Sequence, residues 1–263
     1  MSDQLTVSVR GDGPDAVLQR AVLATVPNDF RVVDGAGDVL LVSGRDGNAA
    51  QVLATAGTTT RAIMVASPAL LDADSRGQLA QIEAAGTPVM LGFAYVPWFL
   101  AEGLPLDAAR EEEVAILELS GDVADLVAAP DMLLEQLHIG RIMIGDVQSA
   151  RTLMNGPSVI VVEAEGGEPQ LKWRMTASKG LADRLSVERI ARLRRTKVEI
   201  VRDAHARPAQ VTHHDALGSH TDGPLYQSGY RVCWKALHAA LHGGHVPSGT
   251  ITRLESDLAM LPG

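Results

Sequence analysis

Asp131, Glu135 and His138 are spaced i, i+4 and i+7, which places all three on one face of a helix. Two carboxyls beside an imidazole can move protons. A buried carboxyl acquires a raised pKa, and a histidine one turn away can share the proton. The alternative is a structural trio, with the carboxylates partly solvated and the histidine hydrogen-bonded. A second pattern lies near the N-terminus, where Gly11-Asp12-Gly13-Pro14-Asp15-Ala16 fits the spacing G-x-G-x-x-G/A. In a dinucleotide fingerprint Gly11 makes the tight turn, Gly13 lets a pyrophosphate approach, and Ala16 lets helix and strand pack. Asp34, 18 residues beyond Ala16, stands near the place of a ribose-binding acid. Against this, Asp12 and Asp15 put negative charge where a helix N-terminus should welcome phosphate. The competing reading is a Gly-Pro turn before a helix capped by Asp15.

Two other clusters carry chemistry-bearing side chains. Seven of the eight histidines lie at or after His205. His238 and His242 are one helical turn apart and His245 follows, a spacing that can hold a transition metal. They share a helix face with Arg231 and Lys235 and have no carboxylate beside them, so a solvated face is expected and no metal. His213-His214-Asp215 precedes a loop at Gly218. Arg184, Arg189, Arg192, Arg194, Arg195, Lys197 and Arg202 crowd into 19 residues of strand-like sequence. A phosphate or an acidic partner could dock there; the other reading is the polar face of an open sheet near a subunit contact.

These residues need a scaffold, and composition bounds it. The chain has 263 residues, 46% hydrophobic and 21% charged, enough for one large or two ordinary domains. A net charge of −9 argues against general nucleic-acid binding. No apolar run is long enough to span a membrane, and MSDQLTVSVRGDG lacks the layout of a signal peptide, so the expected location is cytoplasmic. Cys233 is the single cysteine, which leaves no disulfide framework. Residues 1–150 hold 8 arginines, no lysine and 21 acidic residues, a balance of −13, and residues 151–263 balance at +4. The first lysine is Lys172, so no mechanism can use a lysine before it.

The first hundred residues alternate apolar runs with helical segments, the rhythm of a parallel α/β sheet. Strands are expected at Leu5–Arg10, Phe30–Val33, Val39–Val42, Ala62–Val65 and Val89–Phe93. Asp34–Asp38 is too short for a parallel crossover, so one flanking run should be an edge piece or half of an antiparallel pair. Later candidates are Glu113–Leu119, Ser158–Glu165, Gln170–Thr176, Leu185–Ile190, Val198–Val201 and Gln210–Thr212. Gln170–Thr176 alternates as an antiparallel strand does. Two helices close the chain, Tyr226–His242 and Thr250–Leu261.

Asp38–Gly44 (DVLLVSG), Arg61–Leu71 (RAIMVASPALL), Gly86–Phe93 (GTPVMLGF), Pro97 and Asp131–Gly145 resemble the Gfo/Idh/MocA oxidoreductases. The resemblance covers most of the chain. It implies a Rossmann domain, an α+β domain whose open sheet packs in oligomers, and NAD(P)-dependent chemistry on a sugar or cyclitol. It also implies a strand and helix missing between Arg10 and Asp38. Residue by residue, the family's Glu-Lys-Pro motif becomes Ala66-Ser67-Pro68, so Ser67 replaces the catalytic lysine. In an ungapped match Asp131 keeps the first Asp of the second motif. Glu135 then replaces its histidine, His138 its second Asp, and Gly145 is retained. The alternative register keeps His138 as the histidine and puts Leu134 at the Asp.

The expected architecture is therefore α/β: a truncated Rossmann-like parallel-sheet domain over residues 1–95, then an α+β domain over 96–263. The second domain should have an open, mainly antiparallel sheet and include the closing helices. Candidate cofactor contacts are Gly11, Gly13, Ala16, Ser43, Gly44 and Ser67, with NAD(P) doubtful. Candidate catalytic residues are Asp131, Glu135 and His138. The expected function is a catalytically impaired or non-catalytic subunit, forming a homo- or hetero-oligomer through the open sheet and able to hold a small polar ligand. The alternatives are an active NAD(P)-dependent oxidoreductase using Glu135 or His138 and a non-redox lyase or isomerase.

Overall fold

The computed structural model describes residues 4–57, 59–100, 114–167, 170–191, 194–201, 207–222, 225–243 and 250–262. Its helices in chain order are α1 (Pro14–Leu23), α2 (Ala49–Leu53), α3 (Ala73–Ala84), α4 (Val96–Leu100), α5 (Ala129–Ile144), α6 (Gly229–Leu241) and α7 (Thr250–Leu258). The chain divides into two compact units. One is Met1–Phe93 with Tyr230–Ser256, and the other is Ala94–Gly229 with Asp257–Gly263. Most of the closing helical stretch, expected with the second domain, thus groups with the first unit. No described helix is long and apolar enough to cross a membrane.

In the first unit, β1 (Leu5–Ser8), β2 (Phe30–Val33), β3 (Val39–Ser43), β4 (Ala62–Ala66) and β5 (Val89–Gly92) form an all-parallel sheet in the order β2-β1-β3-β4-β5. Every residue of β3 and β4 is buried, which is why both read as unbroken apolar runs. The short Asp34–Asp38 connection has a different resolution from the one expected. β2 is an edge strand, but both flanking strands run parallel to β1. Val33 and Leu40 both pair with Ser8, so β3 begins level with the end of β2 and the chain needs no return path. It crosses flush over β1: a Cβ on Gly37 would sit 2.9 Å from Ser8 N and 3.0 Å from Thr6 O. Asp38 then anchors the crossing, its Oδ2 accepting from Thr6 N (2.8 Å) and Thr6 Oγ1 (2.6 Å).

α6 starts at Gly229, and Tyr226 belongs instead to a short strand, β14 (Leu225–Gln227). Tyr230, Cys233, Trp234 and Leu237 are buried. Trp234 meets Phe30 edge-on, with centroids 5.1 Å apart, and its Nε1 donates to Gln19 Oε1 on α1 at 2.8 Å.

The second unit is built on β6 (Val114–Val123), β7 (Val147–Asn155), β8 (Val159–Gly166), β9 (Leu171–Lys179), β10 (Arg184–Ala191), β11 (Arg194–Val201), β12 (Arg207–Asp215), β13 (Gly218–Thr221) and β14. The order is β13-β12-β11-β10-β6-β9-β8-β7, with β14 also on β12. All pairs are antiparallel except β6 with β9. β9 is therefore antiparallel on one side only. Leu117, Leu119, Trp173, Met175 and Val187 are buried on the face that α5 covers. The helix approaches closely because Gly140 meets Trp173 and Gly121 meets Met132. A Cβ on Gly140 would fall 2.6 Å from Trp173 Nε1 and 2.7 Å from Cε2, both parts of a buried ring. Gly140→Ala should therefore destabilise the protein by about 1–3 kcal/mol, read as a lower urea midpoint at unchanged m-value. An unchanged midpoint would contradict this packing.

Candidate functional site

The residues expected to contact a cofactor gather at the carboxyl ends of the parallel strands. Gly11–Ala16 follow β1, Ser43 and Gly44 end β3, and Ser67 follows β4. The strand order turns between β1 and β3, the place where open α/β sheets bind ligands. α1 begins with Gly13 as N-cap and Pro14 as its first residue. A glycine has no side chain to cap the helix, and Asp15 does not take that part. The cap comes from Asp46, 31 residues on. Asp46 Oδ1 accepts from Asp15 N (3.1 Å) and Oδ2 from Ala16 N (3.0 Å). A Cβ on Gly13 would collide with the Asp46 side chain, so Gly13 makes room for a protein carboxylate.

Asp46 is itself fixed by Ser43. The Ser43 hydroxyl accepts from Arg45 N (3.1 Å) and Asp46 N (3.0 Å) and donates to the buried Asp15 Oδ2 (2.7 Å). Gly11 adopts φ +81°, the left-handed turn its place in the motif predicted. Gly44 packs its Cα onto the Ser67–Leu71 backbone, with no space for a side chain. Ser67 is the one non-glycine residue with positive φ among the described residues, at φ 47° and ψ 57°. It is buried and caps the 3₁₀ turn that begins at Pro68. Asp34 is exposed just past the end of β2.

A dinucleotide would place its pyrophosphate on the α1 N-terminus. The cradle as built does not fit that group. The Asp15 and Ala16 N–H groups already have an anionic partner, Pro14 has no N–H, and the nearest acidic groups would repel phosphate.

Asp131, Glu135 and His138 lie on α5 as their spacing required, with Asp131 8% and Glu135 6% exposed. Glu135 and His138 have structural partners. Glu135 Oε1 accepts from Ala94 N (2.8 Å), and Oε2 accepts from Tyr95 N (2.6 Å) and Val96 N (3.1 Å). It therefore collects the backbone donors at the start of α4. His138 Nε2 lies 3.1 Å from Oδ2 of Asp257, a residue that spacing had not singled out. Asp257 is 0% exposed and also receives both terminal nitrogens of Arg141, Nη1 to Oδ2 at 2.6 Å and Nη2 to Oδ1. Gly145 ends α5 with φ +118°, a backbone duty.

The remaining clusters also resolve into packing. Arg184 pairs with Asp122 (2.7 Å), Arg195 with Glu188 (2.7 Å) and Lys197 with Glu199 (3.0 Å) on solvent-facing positions. Arg189, on the alternate face of β10, is buried. Arg192 and Arg202 lie outside the described residues, as do His205 and His245. His213 is buried with Nδ1 3.1 Å from Thr196 Oγ1 and Nε2 3.0 Å from Asp222 Oδ2. His238 and His242 stack with centroids 4.2 Å apart. No group of three metal-ligating side chains occurs among the described residues.

Neither a family profile nor a curated protein sequence matches the chain. Solved structures do match it. UDP-N-acetylglucosamine 3-dehydrogenase from Acidithiobacillus ferrooxidans aligns with TM-score 0.67 and 10% identity over 98% of this chain and 96% of its own. Apo scyllo-inositol dehydrogenase from Lactobacillus casei gives 0.66 and 13% over 99% and 96%. A 3-ketoreductase from Actinomadura kijaniata, in complex with NADP and TDP-benzene, gives 0.63 and 12% over 97% and 95%. The chain has the fold of the Gfo/Idh/MocA-type oxidoreductases. The expected architecture of a Rossmann-like unit with an α+β unit is the one observed. At these identities the likeness speaks to fold alone.

The Asp257 pair yields a pH prediction. Burial works to raise this carboxyl, but hydrogen bonds from His138 and Arg141 and the charge of Arg141 outweigh it and hold the pKa below the ordinary range. Because the folded pKa is the lower one, the stability this carboxylate contributes is present above the unfolded value of about 3.9 and lost as pH falls through the folded one. Asp257→Asn should cost about 3 kcal/mol near pH 7 by chemical denaturation. The gap from the unmodified chain should narrow below about pH 4. A pH-independent gap would contradict the assignment.

Proposed function

We propose that this chain is a catalytically silent homologue of the oxidoreductases whose fold it shares, acting as an oligomer-forming or partner subunit. The observation that carries this reading is Glu135, with both oxygens committed to three backbone N–H groups. A general base must be aimed at the proton it takes, and these bonds hold both carboxylate oxygens on the chain's own backbone. Giving up these bonds would strand buried donors at a cost of about 1–3 kcal/mol each. Ser67 adds support, since it carries no charge to polarise a carbonyl and its φ of 47° ties it to the Pro68 turn. The subunit half of the proposal draws on the sheet of the second unit, whose face away from α5 carries paired charges and the exposed Ile116.

One observation favours the alternative of an active enzyme. His138 beside the buried Asp257 resembles an oriented imidazole. The Arg141 fork on the same carboxylate makes the trio equally an ion-pair network, which is the reading preferred here.

The test is a spectrophotometric screen of the purified chain with NAD(H) and NADP(H) against sugars, sugar nucleotides and cyclitols. No turnover is expected, and native mass spectrometry should show an oligomer or a co-purifying chain. Turnover lost in Glu135→Gln or His138→Asn would sink the silent reading, and a monomer without partners would sink the subunit reading. Glu135→Gln should lower stability by about 1–3 kcal/mol, because an amide nitrogen cannot accept where the carboxylate oxygen did. A base without a structural duty would show no such loss.

A further inference from the structure

We infer that Asp46 is a built-in substitute for the diphosphate of a dinucleotide, so that the Rossmann-like unit of this chain is filled from within and binds neither NAD(H) nor NADP(H). The fold makes the α1 N-terminus the anion position of the first unit, at the carboxyl ends of the strands and at the turn in strand order. Two features such a position reserves for a ligand are used here by one side chain. The Asp15 and Ala16 N–H groups, available for phosphate oxygens in an open cradle, donate to the two Asp46 oxygens. The space above Gly13, which a pyrophosphate needs for close approach, holds the Asp46 carboxyl carbon and Cβ.

The substitution is supported from below. Ser43 accepts from Arg45 N and Asp46 N, which holds the turn in the position that delivers the carboxylate. The same hydroxyl donates to Asp15, so a second buried carboxylate stands next to the first. Gly47 continues the turn at φ +68°. Asn48 then begins the approach to α2, with its side-chain amide 3.0 Å from where a Gly11 Cβ would lie. A ligand diphosphate would have to evict Asp46, break both of its bonds and settle beside Asp15. Two carboxylates near a dianion in a partly buried site oppose that. The inference concerns the cofactor side only and does not depend on whether α5 is catalytically silent.

The experiment is anion rescue of the full-length chain, followed by melting temperature and titration calorimetry with inorganic pyrophosphate, NADH and NADPH at matched ionic strength. In the unmodified chain none of the three should shift the melting temperature. Asp46→Ala should melt lower by about 2–4 °C for each kcal/mol lost, and pyrophosphate should restore the loss. Its dissociation constant should be at least tenfold lower in Asp46→Ala than in the unmodified chain. Should Asp46→Ala fail to fold, Asp46→Asn keeps the shape while removing one acceptor and the charge, and the same ordering is expected. Binding of NADH or NADPH by the unmodified chain overturns the inference, even if nothing is turned over. So does an alanine or asparagine variant that binds pyrophosphate no better than the unmodified chain. Turnover with NAD(H) or NADP(H) requires cofactor binding and would strike both readings, whereas NADH or NADPH binding without turnover strikes this inference alone and leaves the silent reading of α5 standing.

Discussion

Backbone N–H groups at the start of a helix must find an acceptor, and in this chain protein carboxylates supply it. α1 takes Asp46, and the turn into α4 takes Glu135. α3 is capped by its own Asp72, whose side chain accepts from Ser75 N. The first two caps come from 31 and about 40 residues away, so each joins distant stretches within its own unit. A buried amide without a partner costs about 1–3 kcal/mol, which makes these carboxylates structural members before they are anything else. The places that looked functional in sequence are thus the places where donors were most in need of an anion.

That constraint explains what the sequence revealed and what it concealed. Phe30–Val33 is a strand at its expected bounds, and Val39, Ala62 and Val89 each begin a strand where the apolar runs began. Buried strands announce themselves because every position must be apolar. β7 leaves no such mark, because its residues are largely exposed and VQSARTLMN has no face that burial forces to be apolar. The helical phase runs back to Tyr226, in register with Tyr230, whereas α6 begins at Gly229. Gly229, where the helix begins, lies against Ala94 O, a contact that leaves no periodic trace. The site residues follow the same division. Helical spacing placed Asp131, Glu135 and His138 on α5, yet the partners of Glu135 at Ala94–Val96 and of His138 at Asp257 come from contacts no local pattern encodes. Asp46 carries no sequence signal, since an aspartate in a Gly-rich turn reads as an ordinary loop residue.

The β2–β3 crossing shows how a length rule fails for a physical reason. A parallel crossover needs many residues when the chain must travel back along the strand it has just completed. Here β2 and β3 overlap only near Ser8, so travel is lateral and five residues suffice. The requirement moves elsewhere: the crossing must lie flat on β1, which demands Gly37, and must be pinned, which Asp38 does through Thr6. A stretch rich in glycine and aspartate looks like a loop of no consequence, and it is what permits a five-stranded parallel sheet in so short a chain.

Glycine spacing near a first strand is commonly read as a mark of a nucleotide, because only glycine lets a phosphate come close. The steric demand is real in this chain, but its source differs. Gly13 is small because of Asp46, and Gly44 because of the Ser67–Leu71 backbone. A G-x-G-x-x-A pattern therefore records that something lies against the backbone, and a carboxylate with two acceptor oxygens satisfies the same donors as a phosphate does. Once an acidic side chain has taken that place, the glycines lose nothing by remaining, because any larger residue would displace the new occupant. The motif can thus be kept for reasons internal to the protein.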